Sequence, residues 1–480
     1  MMGSAILNNN ERKKYLFNNT LVFALGNFGS KLIVFFLVPL YTNVLTTAEY
    51  GTLDLINIIS TVIVPIITLN IAEAIMRFVM DKGANRNEIL NVGTIIFIFS
   101  LILSLLAIPI LNSISYLSEY AFILCLYIIT LASSTITLCY VRGIEKLLDY
   151  AVISIIQTLI IVGLNVLLLL KFNMGIKGYI ISYVVAYAIT TLICIIRSDI
   201  VKIKLNLIIN KVLMKKMLKY SILLIPNSLM WWVMNSLDRV MVTEMIGISE
   251  NGIYAVSYKI PTILITLTTI FNQAWMFSAV KEKESTDKEA YTNTIFNALF
   301  IVVTTIASLL ICILKPLLLV YVGNDFFGAW LYTSPLLVGT VFLTLGTFLS
   351  NEYTAHKDSM GFLKSSCIGA LINLILNFTL IPLWGVLGAA VATCVSYITV
   401  FIFRLIDTRK YVKIYFINKK RIISLIIILI NSILIYIESI YVYIPISLLI
   451  MTLVLINLDF WKSICKNFIK QLKGKRKDEK

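Results

Sequence analysis

The sequence predicts an all-α polytopic membrane protein of about fourteen transmembrane helices, arranged as two six-helix lobes related by pseudo-twofold symmetry plus two C-terminal helices. Three observations predict it. Hydrophobic residues make up 59% of the 480 and charged residues only 14%, with a mean hydropathy of +0.91, whereas soluble domains carry about 25% charged residues. Apolar runs of about 20 residues recur along the chain, the length that crosses a hydrocarbon core roughly 30 Å thick at about 1.5 Å per residue. Two distant stretches also echo each other.

In chain order the apolar runs lie near 16–44, 53–76, 89–111, 120–141, 147–170, 175–196, 217–246, 252–280, 292–314, 329–350, 361–381, 384–403, 422–437 and 441–458. They lack the period-2 alternation of a membrane barrel strand, so they read as helices. Lysine and arginine concentrate in alternate connections, and the other connections hold only Lys171, Lys177 and Lys315. Cytoplasmic loops attract basic residues, so both termini are expected in the cytoplasm. The formal charge of +16 is then mostly a topology signal, and nucleic acid is not an expected partner. The tail KGKRKDEK reads as a solvated stop-transfer end rather than a lipid-binding patch. None of the seven cysteines forms a CxxC pair, so disulfides and a metal site are not expected. The apolar run after NNNERKKYLFNN is too long for a signal peptide, and the first helix is expected to be retained.

The echo supports the two lobes. Helix one leads into TTAEYGTLDL, with Glu49-Tyr50-Gly51, and helix seven into GISENGIYAV, with Glu250-Asn251-Gly252. Asn165 before GIKGYIISY is matched by Asn377 before GVLGAAVAT. Six helices per half bring both halves in from the same side, the plan of transporters whose lobes rock around a central site. The expected divisions are a cytoplasmic segment 1–15, an N-lobe 16–196, a linker 197–216 and a C-lobe 217–406. Helices thirteen and fourteen with their basic loop follow in 407–458, and a basic tail occupies 459–480.

Charge inside these helices is the functional signal, because an ion at bilayer depth costs about 2.5–3.5 kcal/mol or more. Lys31 lies near the middle of helix one, roughly 21 Å from either end, too deep for easy snorkelling. Arg239 and Lys259 sit equally far from the turn between helices seven and eight. Asp54 opens helix two, and Asp238 neighbours Arg239, although adjacent helical residues point about 100° apart. In one reading Lys31, Arg239 and Lys259 line a wet cavity for an anionic substrate such as a diphosphate, with Asp54, Asp238, Asn27 and Asn235 beside them. In the other, Asp54 and Asp238 pair with the cations and lock the packing. Glu73 and Arg77, spaced i,i+4, read as an interfacial salt bridge or gate, and Trp231 and Trp232 as packing residues or a sugar platform. Pro39, Pro65, Pro226 and Pro261 permit bending in the helices that carry these charges. His356, the only histidine, falls in an expected cytoplasmic loop, a poor place for a proton relay.

PLYTNVLTTAEYGTLDL (39–55), LLIPNSLMWWVMNSLDRVMV (223–242) with GISENGIYAVSYKI (247–260), and LINLILNFTLIPLWGVLGAAVAT (371–393) together resemble the polysaccharide-exporter family of Wzx-type flippases. That family shares a superfamily with lipid II flippases and multidrug and toxin extrusion transporters. The resemblance spans about residues 16–410. It implies two six-helix lobes around a cationic cavity and an undecaprenyl-diphosphate-linked oligosaccharide moved from the cytoplasmic to the outer leaflet of a bacterial cell membrane. Asp238, Arg239 and Lys259 match the family pattern in placement, and Lys31 a tendency to carry a basic residue in helix one. The implied partners are the lipid-linked oligosaccharide, the bilayer and other glycan-assembly membrane proteins; no cofactor is implied, and a coupling Na+ or H+ is left open. The alternatives are a multidrug or cation antiporter of the same superfamily and a membrane glycan polymerase. No nucleophile, paired-carboxylate or metal-ligand cluster favours an enzyme.

Overall fold

Helix starts along the chain are set by short polar caps. The computed structural model describes residues 33, 35–81, 83–114, 116–198, 200, 210–281, 287–463 and 466, and among these every regular element is helical. The first is α1 (Phe35–Val44), followed by α2 (Thr47–Ile67), α3 (Ile71–Val79), α4 (Arg86–Leu106), α5 (Ile108–Ser113), α6 (Ala121–Gly143), α7 (Leu147–Asn165) and α8 (Gly175–Arg197). Next come α9 (Lys211–Ile222), α10 (Ile225–Met245), α11 (Ile248–Ser257), α12 (Lys259–Lys281), α13 (Lys288–Cys312) and α14 (Leu314–Tyr321). The chain continues with α15 (Trp330–His356), α16 (Ser359–Trp384), α17 (Val386–Asp407), α18 (Lys419–Leu434) and α19 (Tyr443–Ile456). Asn85, Asn210, Asp358 and Asn418 each accept a backbone N–H in the first turn of the helix that follows, satisfying donors with no partner inside the helix.

Among the described residues, ten helical stretches are long and apolar enough to cross a membrane, and each apolar run of the sequence contains helix. Several runs expected as single helices are broken, among them the third, at Ala107 between α4 and α5. The second divides into α2 and α3, because Pro65 inside α2 has no N–H to donate and Leu69 and Asn70 turn left-handed, at φ 50° and 52°. The seventh breaks ahead of Pro226 in the first turn of α10, and the eighth at Tyr258, ahead of Pro261 in α12. Beyond α7 the chain continues as a π-helical turn, Val166–Lys171.

The chain forms two compact units. One extends to Ala255 and takes in Val322–Phe326; in it α6 packs on α3 and α8, α7 on α8, and α2 on α10. Its apolar core includes Ile71, Ile75, Val92, Ile136 and Tyr140. The other runs from Val256 to Tyr321 and onward from Phe327, and here α15 packs on α12, α13 and α17, and α16 on α17. Asn165 and Asn377, the second echo in the sequence, are both fully buried.

The first echo becomes a contact inside the first unit. A methyl group on Gly51 would overlap the carbonyl oxygen of Ile248, and one on Gly252 would overlap that of Thr47. One spacing along the chain separates Thr47 from Ile248 and Gly51 from Gly252, so the contact is reciprocal. Only glycine lets the backbones approach this closely. Asn251 adds a hydrogen bond from Nδ2 to the Gly51 carbonyl at 3.2 Å.

Candidate functional site

The site is built on α2 and α10. Thr46 Oγ1 accepts from the Glu49 N–H at 3.2 Å while Glu49 Oε2 accepts from the Thr46 N–H at 2.9 Å, a capping box that fixes the start of α2. Tyr50, Asp54 and Asn57 then follow at i, i+4 and i+7, along one stripe of the helix. Arg239 Nη1 of α10 donates to Asp54 Oδ1 at 2.8 Å. Asp238 turns elsewhere: fully buried, it accepts from Tyr254 Oη at 2.7 Å and from the Arg239 backbone N–H at 2.9 Å. One carboxylate faces the guanidinium, and the other ties α10 to α11.

This geometry accounts for charges in an otherwise apolar run. A buried ion pair adds little net stability, but removing one partner strands the other charge at a cost of about 3–5 kcal/mol. The pair is not sealed. The Arg239 side chain retains 15% of its exposure and that of Asp54 8%, and Asp54 Oδ2 makes no hydrogen bond among the described residues. A guanidinium bound to a carboxylate through Nη1 can exchange it for a phosphate, whose oxygens match its planar fork of donors.

A polar aromatic cluster continues from Asp54. Asn57 Nδ2 donates to Tyr179 Oη at 2.9 Å, and Asn57 Oδ1 accepts from Tyr127 Oη at 2.8 Å. Tyr179, Tyr183 and Tyr187 pack as a ladder on α8, with successive ring centroids 4.6 and 5.8 Å apart, and Tyr41 meets Tyr179 edge-on at 5.4 Å. Sequence reasoning missed this cluster. Its signal is the four-residue tyrosine spacing of YIISYVVAY, which marks one helix face.

The other expected site residues divide. Lys31 and Asn27 lie outside the described residues. Lys259 begins α12 in the second unit and is half-buried. Asn235 Nδ2 donates to the Trp231 carbonyl at 2.7 Å, and Trp232 Nε1 to the Ile58 carbonyl at 3.0 Å, so Trp232 is anchored to α2. Arg77 does not bridge Glu73. It donates to Asp81 at 2.6 Å, because Arg77 and Asp81 are both exposed beyond the packed face while Glu73 is half-buried. His356 closes α15 rather than occupying a loop, with its ring stacked on Tyr411 at 4.1 Å.

Buried charge extends beyond the three cations singled out from the sequence. Arg404, 1% exposed, donates from Nη1 to the Gly346 carbonyl and from Nε to Ser365 Oγ, each at 3.0 Å. Lys288 pairs with the fully buried Glu352 at 2.9 Å. Both cations fall at helix ends, where counting charge by loop assigns them to solvent. In the connection between α15 and α16, the Asp358 carboxyl is pulled down to about 2, first by Lys410 Nζ at 2.9 Å, then by the Gly361 N–H and Tyr411 Oη.

The family model described as "Polysaccharide biosynthesis protein" matches residues 16–277. A curated relative, an uncharacterized membrane protein of Methanocaldococcus jannaschii, is 34% identical over 89 residues, and the match spans 18% of each chain. The lipid II flippase MurJ, in an inward closed conformation, superposes with a TM-score of 0.66 at 15% identity, covering 93% of this chain and 100% of that one. An inward-facing multidrug resistance MATE family transporter of the MOP superfamily gives 0.65 at 11% identity, covering 81% and 94%. At these identities the likeness establishes the all-helical fold.

Proposed function

Because this chain belongs to the polysaccharide biosynthesis protein family, we propose that it is a flippase moving an undecaprenyl-diphosphate-linked oligosaccharide from the cytoplasmic to the outer leaflet of a bacterial cell membrane. The observation that carries the reading is Arg239, paired through Nη1 to Asp54 in a membrane-spanning region and still partly accessible. In the unloaded protein Asp54 neutralises the guanidinium and latches α10 to α2. The diphosphate of the cargo competes for the same donors, releases the latch and couples loading to a change of state. A ligand shifts a conformational equilibrium only through its different affinities for the two states, and here the difference is the broken pair. Asp238, occupied by Tyr254, positions Arg239 without touching cargo. Net movement follows removal of product or a Na+ or H+ gradient.

A second reading, a cation antiporter, is favoured by the buried carboxylates of Asp54, Asp238 and Glu352. Transbilayer movement of a fluorescent undecaprenyl-diphosphate oligosaccharide in proteoliposomes tests the choice. Wild type moves the lipid, Arg239→Ala loses movement when equal amounts of folded protein are reconstituted, and Arg239→Lys keeps part of it. Ion-coupled efflux of an organic cation with no lipid movement would replace the flippase by the antiporter.

A further inference from the structure

The second unit contains a cleft of about 360 Å³ lined by Lys315, Phe327, Trp330, Glu438, Ser439, Tyr443 and three aliphatic side chains. Lys315 comes from α14 and Trp330 opens α15, while Glu438 and Ser439 belong to the connection between α18 and α19. That connection is pinned in place. Ser334 Oγ and Ser432 Oγ are 2.8 Å apart, and Tyr436 Oη donates to the Leu331 carbonyl. The Lys315 ammonium sits 4.0 Å from the centroid of the Trp330 ring, which also meets Tyr436 at 5.6 Å. A cation over an indole face is held without a carboxylate, and none lies within bridging distance of Lys315 among the described residues. Glu438 is close enough to act on it electrostatically.

The cleft therefore offers one fixed ammonium, one carboxylate with free lone pairs and the half-buried rings of Phe327 and Tyr443. Opposed charges in one small cleft suit an uncharged polyol. Hydroxyl groups donate to Glu438 and accept from Lys315, and the apolar face of a sugar ring packs on an aromatic side chain. A phosphate would meet the Glu438 charge. The volume is at the small end of ligand sites, room for one or two sugar rings.

We propose that this cleft is a saccharide subsite that takes uncharged sugar residues of the transported glycan. The proposal rests on the flippase reading for the identity of the cargo. Lys315 is one of only three basic residues in the connections expected outside, so the subsite receives the glycan as it emerges, and the two C-terminal helices gain a role in recognition.

Saturation-transfer NMR on the full-length protein in lipid nanodiscs tests it, with glucose, galactose and N-acetylglucosamine as probes and inorganic phosphate and glycerol phosphate as competitors. At least one sugar should bind, with affinity falling about tenfold in Glu438→Gln and in Lys315→Met. Glu438 is exposed and Lys315 half-buried, so both variants should fold. No binding of any sugar, binding unchanged in both variants, or displacement of sugar by either phosphate would overturn the proposal. Transport measured on the same preparations separates the two ideas: movement of the lipid-linked glycan without sugar binding removes the subsite alone, whereas sugar binding without movement removes the flippase reading and leaves the cleft a sugar site of other purpose.

Discussion

An ion pair with Asp54 explains why Arg239 stands in an apolar run, and a hydrogen bond from Tyr254 accounts for its neighbour Asp238. Arg239→Ala leaves Asp54 buried without its cation and should lower the thermal midpoint as well as activity, whereas the double change Asp54→Asn with Arg239→Gln should recover much of the stability and none of the transport. Thermal unfolding in detergent measures this directly. Trp232→Phe removes the bond to the Ile58 carbonyl and should cost about 1 kcal/mol. Asp358 gives the residue scale a pH dependence. Its carboxyl is held at about 2 by Lys410 first, below the ordinary aspartate range, so its contribution to stability is full above about pH 4. It is lost as pH falls toward 2. Asp358→Asn should flatten that part of the acid-unfolding profile, a result that thermal midpoints across pH would read out.

At the scale of elements, the seam between α2 and α11 depends on two glycines meeting reciprocally. Gly51→Ala or Gly252→Ala forces a methyl group into a backbone carbonyl and should cost about 1–3 kcal/mol or more. A thermal midpoint unchanged in both variants would contradict the contact. The helices were legible from the sequence because bilayer thickness dictates the length of an apolar run, and the repeated glycines were legible as matching short stretches, although Gly51 and Gly252 lie inside α2 and α11 rather than in turns. The breaks were less so: Pro65 was visible, but the left-handed turn at Leu69 and Asn70 needs the rest of the unit to hold it. Pairings were the least legible. Nothing in the sequence tells Arg77 to choose Asp81 over Glu73 at the same spacing, or joins Arg239 to Asp54 from a distant helix. The tyrosine ladder was readable by period alone, while its hydrogen bonds to Asn57 depend on α2, α6 and α8 meeting.

For the whole molecule, the central claim is that cargo diphosphate and Asp54 compete for Arg239. Removing Arg239 cannot test competition, because it removes the shared partner. Asp54→Asn can, since it leaves Arg239 in place and takes away only the competitor. The decisive measurement is the equilibrium affinity of undecaprenyl diphosphate for wild type and Asp54→Asn, each reconstituted in nanodiscs. Competition predicts that the variant binds the lipid about tenfold more tightly, a gain of about 1.4 kcal/mol, while moving it across the bilayer more slowly. Equal or weaker binding by a folded Asp54→Asn protein would contradict the account and return Asp54 and Arg239 to a purely structural role.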